Sequence, residues 1–246
     1  MKIIRFILLS ATVSVLPALA LAEQFEGFKQ NVTEVALKAF ARDIGGLVGG
    51  GTFHSGSSLG FPGVDFGVHM NGQSSPSNDD VILKDLTGKT VKNAIIPVAQ
   101  GAIGLPYNID VIMRGISFGD TAMVGSGLRY GLFKAKLLPM TPAMSISAFT
   151  HVLNHNYFSM THYSANASFD INVPVVSPYI GVGWDHSRIK VKDAADLTLV
   201  GLKVKANGTR AVAGINFKPF PLCYVNAAYA NLHGESGYEA GMGLKF

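Results

Sequence analysis

Cysteine is almost missing: Cys223 stands alone in 246 residues. One thiol excludes an intramolecular disulfide framework and any metal site built from several cysteines, so Cys223 reads as a small lipid-facing or interfacial residue. Charge is scarce as well, at 15% of residues, and the net +4 is spread without a Lys/Arg cluster interleaved with aromatics. Nucleic acid is therefore not an expected partner. Residues 23–246 also lack any run of about 20 apolar residues long enough for a spanning helix. Yet mean hydropathy is positive, at +0.29. Apolar residues dispersed over many short strands reconcile these facts, and glycine, with 28 residues, is plentiful.

The N-terminus has the layout of a secretory signal. Lys2 and Arg5 give a positive start, Phe6 to Leu16 an apolar stretch, and Ala20-Leu21-Ala22 a small-x-small cleavage site, with Ala18-Leu19-Ala20 competing. A mature chain from Glu23 and passage across an inner membrane are expected. The domain reading is 1–22 signal peptide, 23–50 helix and Gly-rich linker, and 51–246 barrel.

From Gln24 to Ile44 the apolar period is helical: Phe25, Phe28, Val32, Val35, Ala36, Ala39, Phe40 and Ile44 share one face. Gly45-Gly46 should end this helix, and Gly49-Gly50-Gly51 should connect it flexibly to the strands. Two homes are open to it, the lumen or the periplasmic mouth, with the lumen preferred. There Glu26, Lys29, Lys38, Arg42 and Asp43 are expected to partner lumen charges, while the apolar face covers Ile112 and Phe149.

After Pro62 the period becomes two. Val64, Phe66, Val68 and Met70 alternate with Asp65, Gly67, His69 and Asn71. Tyr163, Ala165, Ala167, Phe169 and Ile171 alternate with His162, Ser164, Asn166, Ser168 and Asp170. Repeating the count predicts an all-β, closed antiparallel transmembrane barrel of ten strands, with eight or twelve as alternatives because Ile95 to Ile103 is irregular. Links on one side contain proline and are short; those on the other include the polar 73–93 and 191–203 segments. That asymmetry, with an even strand number, places both termini on the periplasmic side of an outer membrane.

Alternation then assigns an inward face. Asp65, Asp110, Arg114, Arg129, His162, Asp170, Asp185, Arg210, Glu239 and Lys245 are expected to line the lumen, since an ionised group on the lipid face costs about 2–4 kcal/mol at the midplane. They read as an ion-pair network that fills the barrel or holds the helix, with a selectivity lining as the sharper alternative.

The chain ends on Tyr238-Glu239-Ala240-Gly241-Met242-Gly243-Leu244-Lys245-Phe246. This resembles the last strand of bacterial outer-membrane barrels, whose terminal aromatic, here Phe246, is read by the barrel-assembly machinery. The resemblance thus implies two partners, that machinery and outer-membrane lipid. Gly104-Leu105-Pro106 to Arg114, followed by Gly127-Leu128-Arg129-Tyr130-Gly131-Leu132, is distantly similar to small barrels of the long-chain fatty-acid transporter group. That group carries an N-terminal helical hatch, which residues 24–44 would represent, although this chain is too short for its usual fourteen strands.

Chemistry is thinly signalled. His162-x-Ser164 resembles the short motif of outer-membrane phospholipase A and lipid A deacylases, but alternation turns the pair toward the lumen and Ala165 stands before Asn166. A low-weight lipid-acyl hydrolase reading therefore accompanies the expectation of a non-enzyme. His151, His155 and His162 have no carboxylate at ligand spacing, so neither a metal nor another cofactor is expected. A narrow channel or binding barrel for a small solute, with a helical plug, is the leading function; a structural or surface-interaction barrel is the alternative.

Overall fold

The computed structural model describes residues 25–84, 93–135 and 140–246, so the signal-peptide reading lies outside it. Ten strands form a closed antiparallel barrel: β1 (Val64–Gln73), β2 (Ala94–Leu105), β3 (Ile109–Phe118), β4 (Thr121–Lys134), β5 (Thr141–Asn154), β6 (Phe158–Asn172), β7 (Val176–Val191), β8 (Lys203–Phe217), β9 (Cys223–Leu232) and β10 (Glu235–Lys245). Each strand pairs with its neighbours in sequence, and β1 meets β10 to close the ring. Val64 and Phe246 exchange both backbone hydrogen bonds, at 3.0 and 2.8 Å, at the end of that seam. Closure leaves no edge, which is the condition for a sheet to cross lipid.

Alternation is what divides inside from outside. Along β7 the burial pattern is strictly two-fold, with Ile180, Val182 and Trp184 exposed and Gly181, Gly183 and Asp185 buried. Phe66, Val68, Met113, Leu128, Ile146, Tyr229, Met242 and Leu244 extend the exposed apolar surface around the barrel. A band of this kind, wrapped round a polar interior, is stable only in hydrocarbon; the protein is an outer-membrane-type transmembrane barrel.

β2 is regular despite its sequence. Pro97 pairs with Met70 on β1, but β3 first joins β2 at Ala99–Gly115, so the missing N–H breaks no ladder on that side. The links after β2, β4, β6 and β8 lie at the end that holds Val64 and Phe246, here the turn end. The opposite, loop end carries residues 74–84 and 192–202.

The N-terminal segment departs from the sequence reading in three ways. It forms two helices, α1 (Glu26–Asn31) and α2 (Glu34–Gly49), because Thr33 breaks the run and caps α2 by accepting from the Ala36 N–H at 3.2 Å. Helix α2 does not stop at Gly45-Gly46 but passes through them. A Cβ at Gly45 would lie 2.4 Å from Ser187 Oγ, so these glycines serve close packing against the barrel wall rather than termination. And the segment enters from the loop end, so Phe25 and Phe246 lie at opposite ends of the barrel.

That entry is set by aromatic packing. Phe25, Phe28 and Phe40 meet Phe158 with ring centroids 5.1–5.2 Å apart, beside His155 and Tyr157 of the β5–β6 link. Phe28, Phe40 and Phe158 are fully buried, each contributing about 2–3 kcal/mol by burial. Lys29 pairs with Asp193 at 2.5 Å, and the Ala195 N–H donates to the Lys29 carbonyl, fixing α1 to the β7–β8 loop. A short helix α3 (Val81–Lys84) covers the same mouth through Ile82 and Leu83.

Candidate functional site: a charged lumen around an internal segment

Residues 50–63 continue the N-terminal segment down the lumen to the turn end before β1 begins at Val64. Their glycines and serines look like a loose linker, yet they are fastened at several levels by inward-pointing polar groups.

Near the loop end Arg42 donates to the His233 carbonyl, and His233 Nδ1 lies 2.7 Å from the Arg42 carbonyl. Its Nε2 lies 2.8 Å from Asp185 Oδ2. Both ring nitrogens thus face oxygen acceptors. Asp185 is also held by Arg210, through Nε at 2.6 Å and Nη2 at 3.1 Å, a two-pronged contact that matches the planar guanidinium to the carboxylate. Arg210 Nη2 further donates to Asn166 Oδ1 at 2.7 Å and reaches Ser164 Oγ at 3.4 Å. His162 Nε2 is 3.4 Å from Asp185 Oδ1, an ion-pair distance rather than an aligned hydrogen bond.

Below this cluster lies the C-terminus of α2, whose last carbonyls have no helical partner. Arg114 donates to the carbonyls of Gly50 at 2.7 Å and Val48 at 3.3 Å, and Asn71 Nδ2 donates to those of Leu47 and Gly50 at 3.2 and 3.0 Å. A cation at this end also complements the helix dipole. Glu239, the cross-strand partner of Asn71 on β10, faces the Gly51 N–H.

Toward the turn end three aspartates repeat the arrangement. Asp170 accepts from Ser55 Oγ at 2.6 Å and Ser57 Oγ at 3.4 Å. Asp110 accepts the Leu59 N–H at 3.0 and 3.1 Å and pairs with Arg129 Nε at 2.7 Å. Asp65 accepts from Tyr224 at 2.9 Å and lies 3.6 Å from His54 Nε2. All nine of the inward residues from Asp65 to Glu239 named from sequence are thereby buried in the lumen. Lys245 is half-buried at the turn-end mouth, where it joins Lys134 and Lys218 around a cavity of about 480 Å³ lined also by Asp170, Asn172 and Ser177.

The expected partners of these charges were the helix's own charged side chains, and that expectation is corrected. Lumen charges pair with one another, with serines and with the backbone of residues 47–59, because the segment's polar atoms at that depth are mainly peptide groups. The helix charges work at the mouth: Lys29 on Asp193, Arg42 on His233, and Asp43 on the Ser77 N–H at 2.7 Å. Nor does α2 cover Ile112 and Phe149. They pack with Ala102 and Leu59, which the descending segment brings there.

The histidine motif resolves differently from its sequence appearance. His162 Nδ1 is 3.0 Å from Ser187 Oγ, contributed by β7, while Ser164 is engaged by Asn166 and Arg210. His155 sits in the aromatic cluster at the loop end, apart from His151 and His162. Among the described residues no group of three or more His, Cys, Asp or Glu is placed to hold a metal ion.

No protein-family model and no curated protein sequence matches the chain. Similar solved structures include Ail, the attachment invasion locus protein of Yersinia pestis, with 15% identity over 75% of this chain and 97% of that one and a TM-score of 0.32. The N-terminal barrel domain of Pseudomonas aeruginosa OprF gives 13% identity, the same coverages and 0.33. The Pseudomonas putida toluene transporter TodX gives 7%, 78% and 70%, and 0.27. At these scores nothing about function carries over. The chain's own geometry defines its class: a ten-stranded outer-membrane barrel whose lumen holds the protein's N-terminal segment.

Proposed function

We propose that the protein is a plugged binding barrel, closed to free diffusion while residues 25–63 occupy the lumen, with a small-solute pocket at the turn end. The carrying observation is the succession of anchors from Lys29–Asp193 at one mouth to Leu59–Asp110 near the other. A passive pore would have no use for so many buried groups spent on one segment. The polar cavity beside Lys134, Lys218 and Lys245 is open to a small solute while the plug stays in place. An internal N-terminal segment accords with the hatch of the long-chain fatty-acid transporter group, and that finer kinship remains part of this proposal. The lipid-acyl hydrolase reading gains no support, since Ser164 is not the serine at His162. Phe246, exposed at the end of β10, serves in this reading as the signal for the barrel-assembly machinery.

The test is conductance in a planar bilayer. The full mature chain should give no stable current steps, and removal of residues 24–61, the whole internal segment, should create them. Equal conductance of the two proteins would refute the plug and favour the surface-interaction reading, for which the packed cap of α1, Tyr157 and Asp193 is the relevant surface.

A further inference from the structure

The outward face carries charge at one place only among the paired strands: the loop-end half of β7 and β8. There Arg188, Lys190, Lys203 and Lys205 are all exposed. The register sets Arg188 directly opposite Lys205 and Lys190 directly opposite Lys203. Like charges in directly opposed positions destabilise an antiparallel pair. No salt bridge to an acidic residue relieves any of the four among the described residues; Arg188 donates instead to His186 Nε2 at 3.0 Å.

Depth along the strands adds the second observation. Two residues before His186 on the same outward face is Trp184, exposed, with Tyr163 beside it on β6 and the apolar Val182 and Ile180 further down. Aromatic residues mark the membrane–water boundary of such barrels. At about 3.3 Å per residue along a strand tilted by about 40°, Arg188 lies roughly 10 Å beyond Trp184. That is the level of lipid headgroups. β8 reaches past its partner here, since β9 first pairs at Arg210–Leu232, so Lys203 and Lys205 stand clear of the wall on that side, while Arg188 and Lys190 have only Thr161 and Ser159 of β6 opposite them.

The geometry points to a binding site for the phosphate groups of an anionic lipid in the outer leaflet, formed by Arg188, Lys190, Lys203 and Lys205. With the longer loops facing outward, headgroup phosphates meet the patch from the side, and their negative charge removes the cross-strand repulsion. Arg188 is suited to a two-pronged contact with phosphate and the lysines to point-charge contacts. Clustered basic residues next to a membrane surface gain affinity for anionic headgroups in this way.

The experiment uses the full mature chain folded in phosphatidylcholine bilayers, with added bisphosphorylated glucosamine lipid (lipid A) or the same lipid with both phosphates removed. The wild-type protein should bind the phosphorylated form at least tenfold more tightly and melt at a higher temperature in its presence. Arg188→Gln with Lys205→Gln, and separately Lys190→Gln with Lys203→Gln, should erase most of that preference, while Lys84→Gln, in the β1–β2 link, should keep it. In pure phosphatidylcholine the two double variants should melt no lower than wild type, because the repulsion is gone. Equal binding of the two lipids by the wild type would overturn the assignment, as would an undiminished preference in both double variants. Tighter binding of a soluble acidic peptide than of the phosphorylated lipid would also overturn it, making the patch a protein-docking surface. None of these readings depends on conductance.

Discussion

Asp80 offers the sharpest test of how the plug is held. It lies in the β1–β2 link, fully buried, and its Oδ1 accepts the Leu83 N–H at 2.8 Å at the start of α3. Its Oδ2 has no donor, and neither has Oδ1 of Asp43, the buried acid of α2 that faces it. Burial, and then the neighbouring Asp43 carboxylate, push Asp80 up to about 8. A folded value raised above the ordinary 3.8 means that the docked state holds a proton which the undocked state releases. Docking of residues 77–84 on α2 is therefore strongest below about pH 4, weakens by about 1.4 kcal/mol per unit as pH rises, and levels off near pH 8. Asp80→Asn removes the ionisation, keeps the acceptor for Leu83 and adds a donor for Asp43. It should remove most of the slope and tighten docking most at pH 8. Hydrogen exchange at the Ser77 and Leu83 amides, corrected for the intrinsic pH effect, reads this directly. Wild-type protection that rises from pH 5 to pH 8, or an unchanged slope in the Asn variant, would refute the shared-proton account.

Arg210→Met should destabilise the barrel by about 3–5 kcal/mol in urea titrations, since it leaves Asp185 buried with histidines alone. Pairing it with Asp185→Leu should recover much of that loss, and a cycle without coupling would count against the network. Gly56→Ala would bring a Cβ to 2.5 Å from the Ala143 carbonyl oxygen and 2.7 Å from the Asp170 nitrogen, backbone atoms that cannot turn aside. The plug must lift there, at a cost of about 1–3 kcal/mol, and brief current steps should appear in planar bilayers. Deleting Phe246 should lower the amount of heat-modifiable barrel in the outer membrane while secretion across the inner membrane is unchanged; equal amounts of folded barrel would remove its role in assembly.

The barrel itself was legible in the chain because a strand's side chains alternate by local geometry. That rule alone placed Asp185 and Arg210 inward and Trp184 and Ile180 outward, before any partner was known. Strand number followed from ten alternating runs, and even Pro97 proved harmless because β3 starts beyond it. The path of the N-terminal segment was not legible. Helical periodicity marked an apolar face but not the mouth at which Phe25, Phe28 and Phe40 would find Phe158, a contact made across more than a hundred residues. Gly45-Gly46 read as a stop because glycine weakens an isolated helix, whereas the approach of Ser187 and His233 gives those positions a packing reason to lack a Cβ. Ser55, Ser57 and the Leu59 amide resembled a linker, since nothing local shows that Asp170 and Asp110 await them inside the closed sheet. Sequence thus determined which way each strand residue faces, a matter of neighbouring dihedrals; only the closed barrel decided what each inward charge would hold, because those partners meet through space.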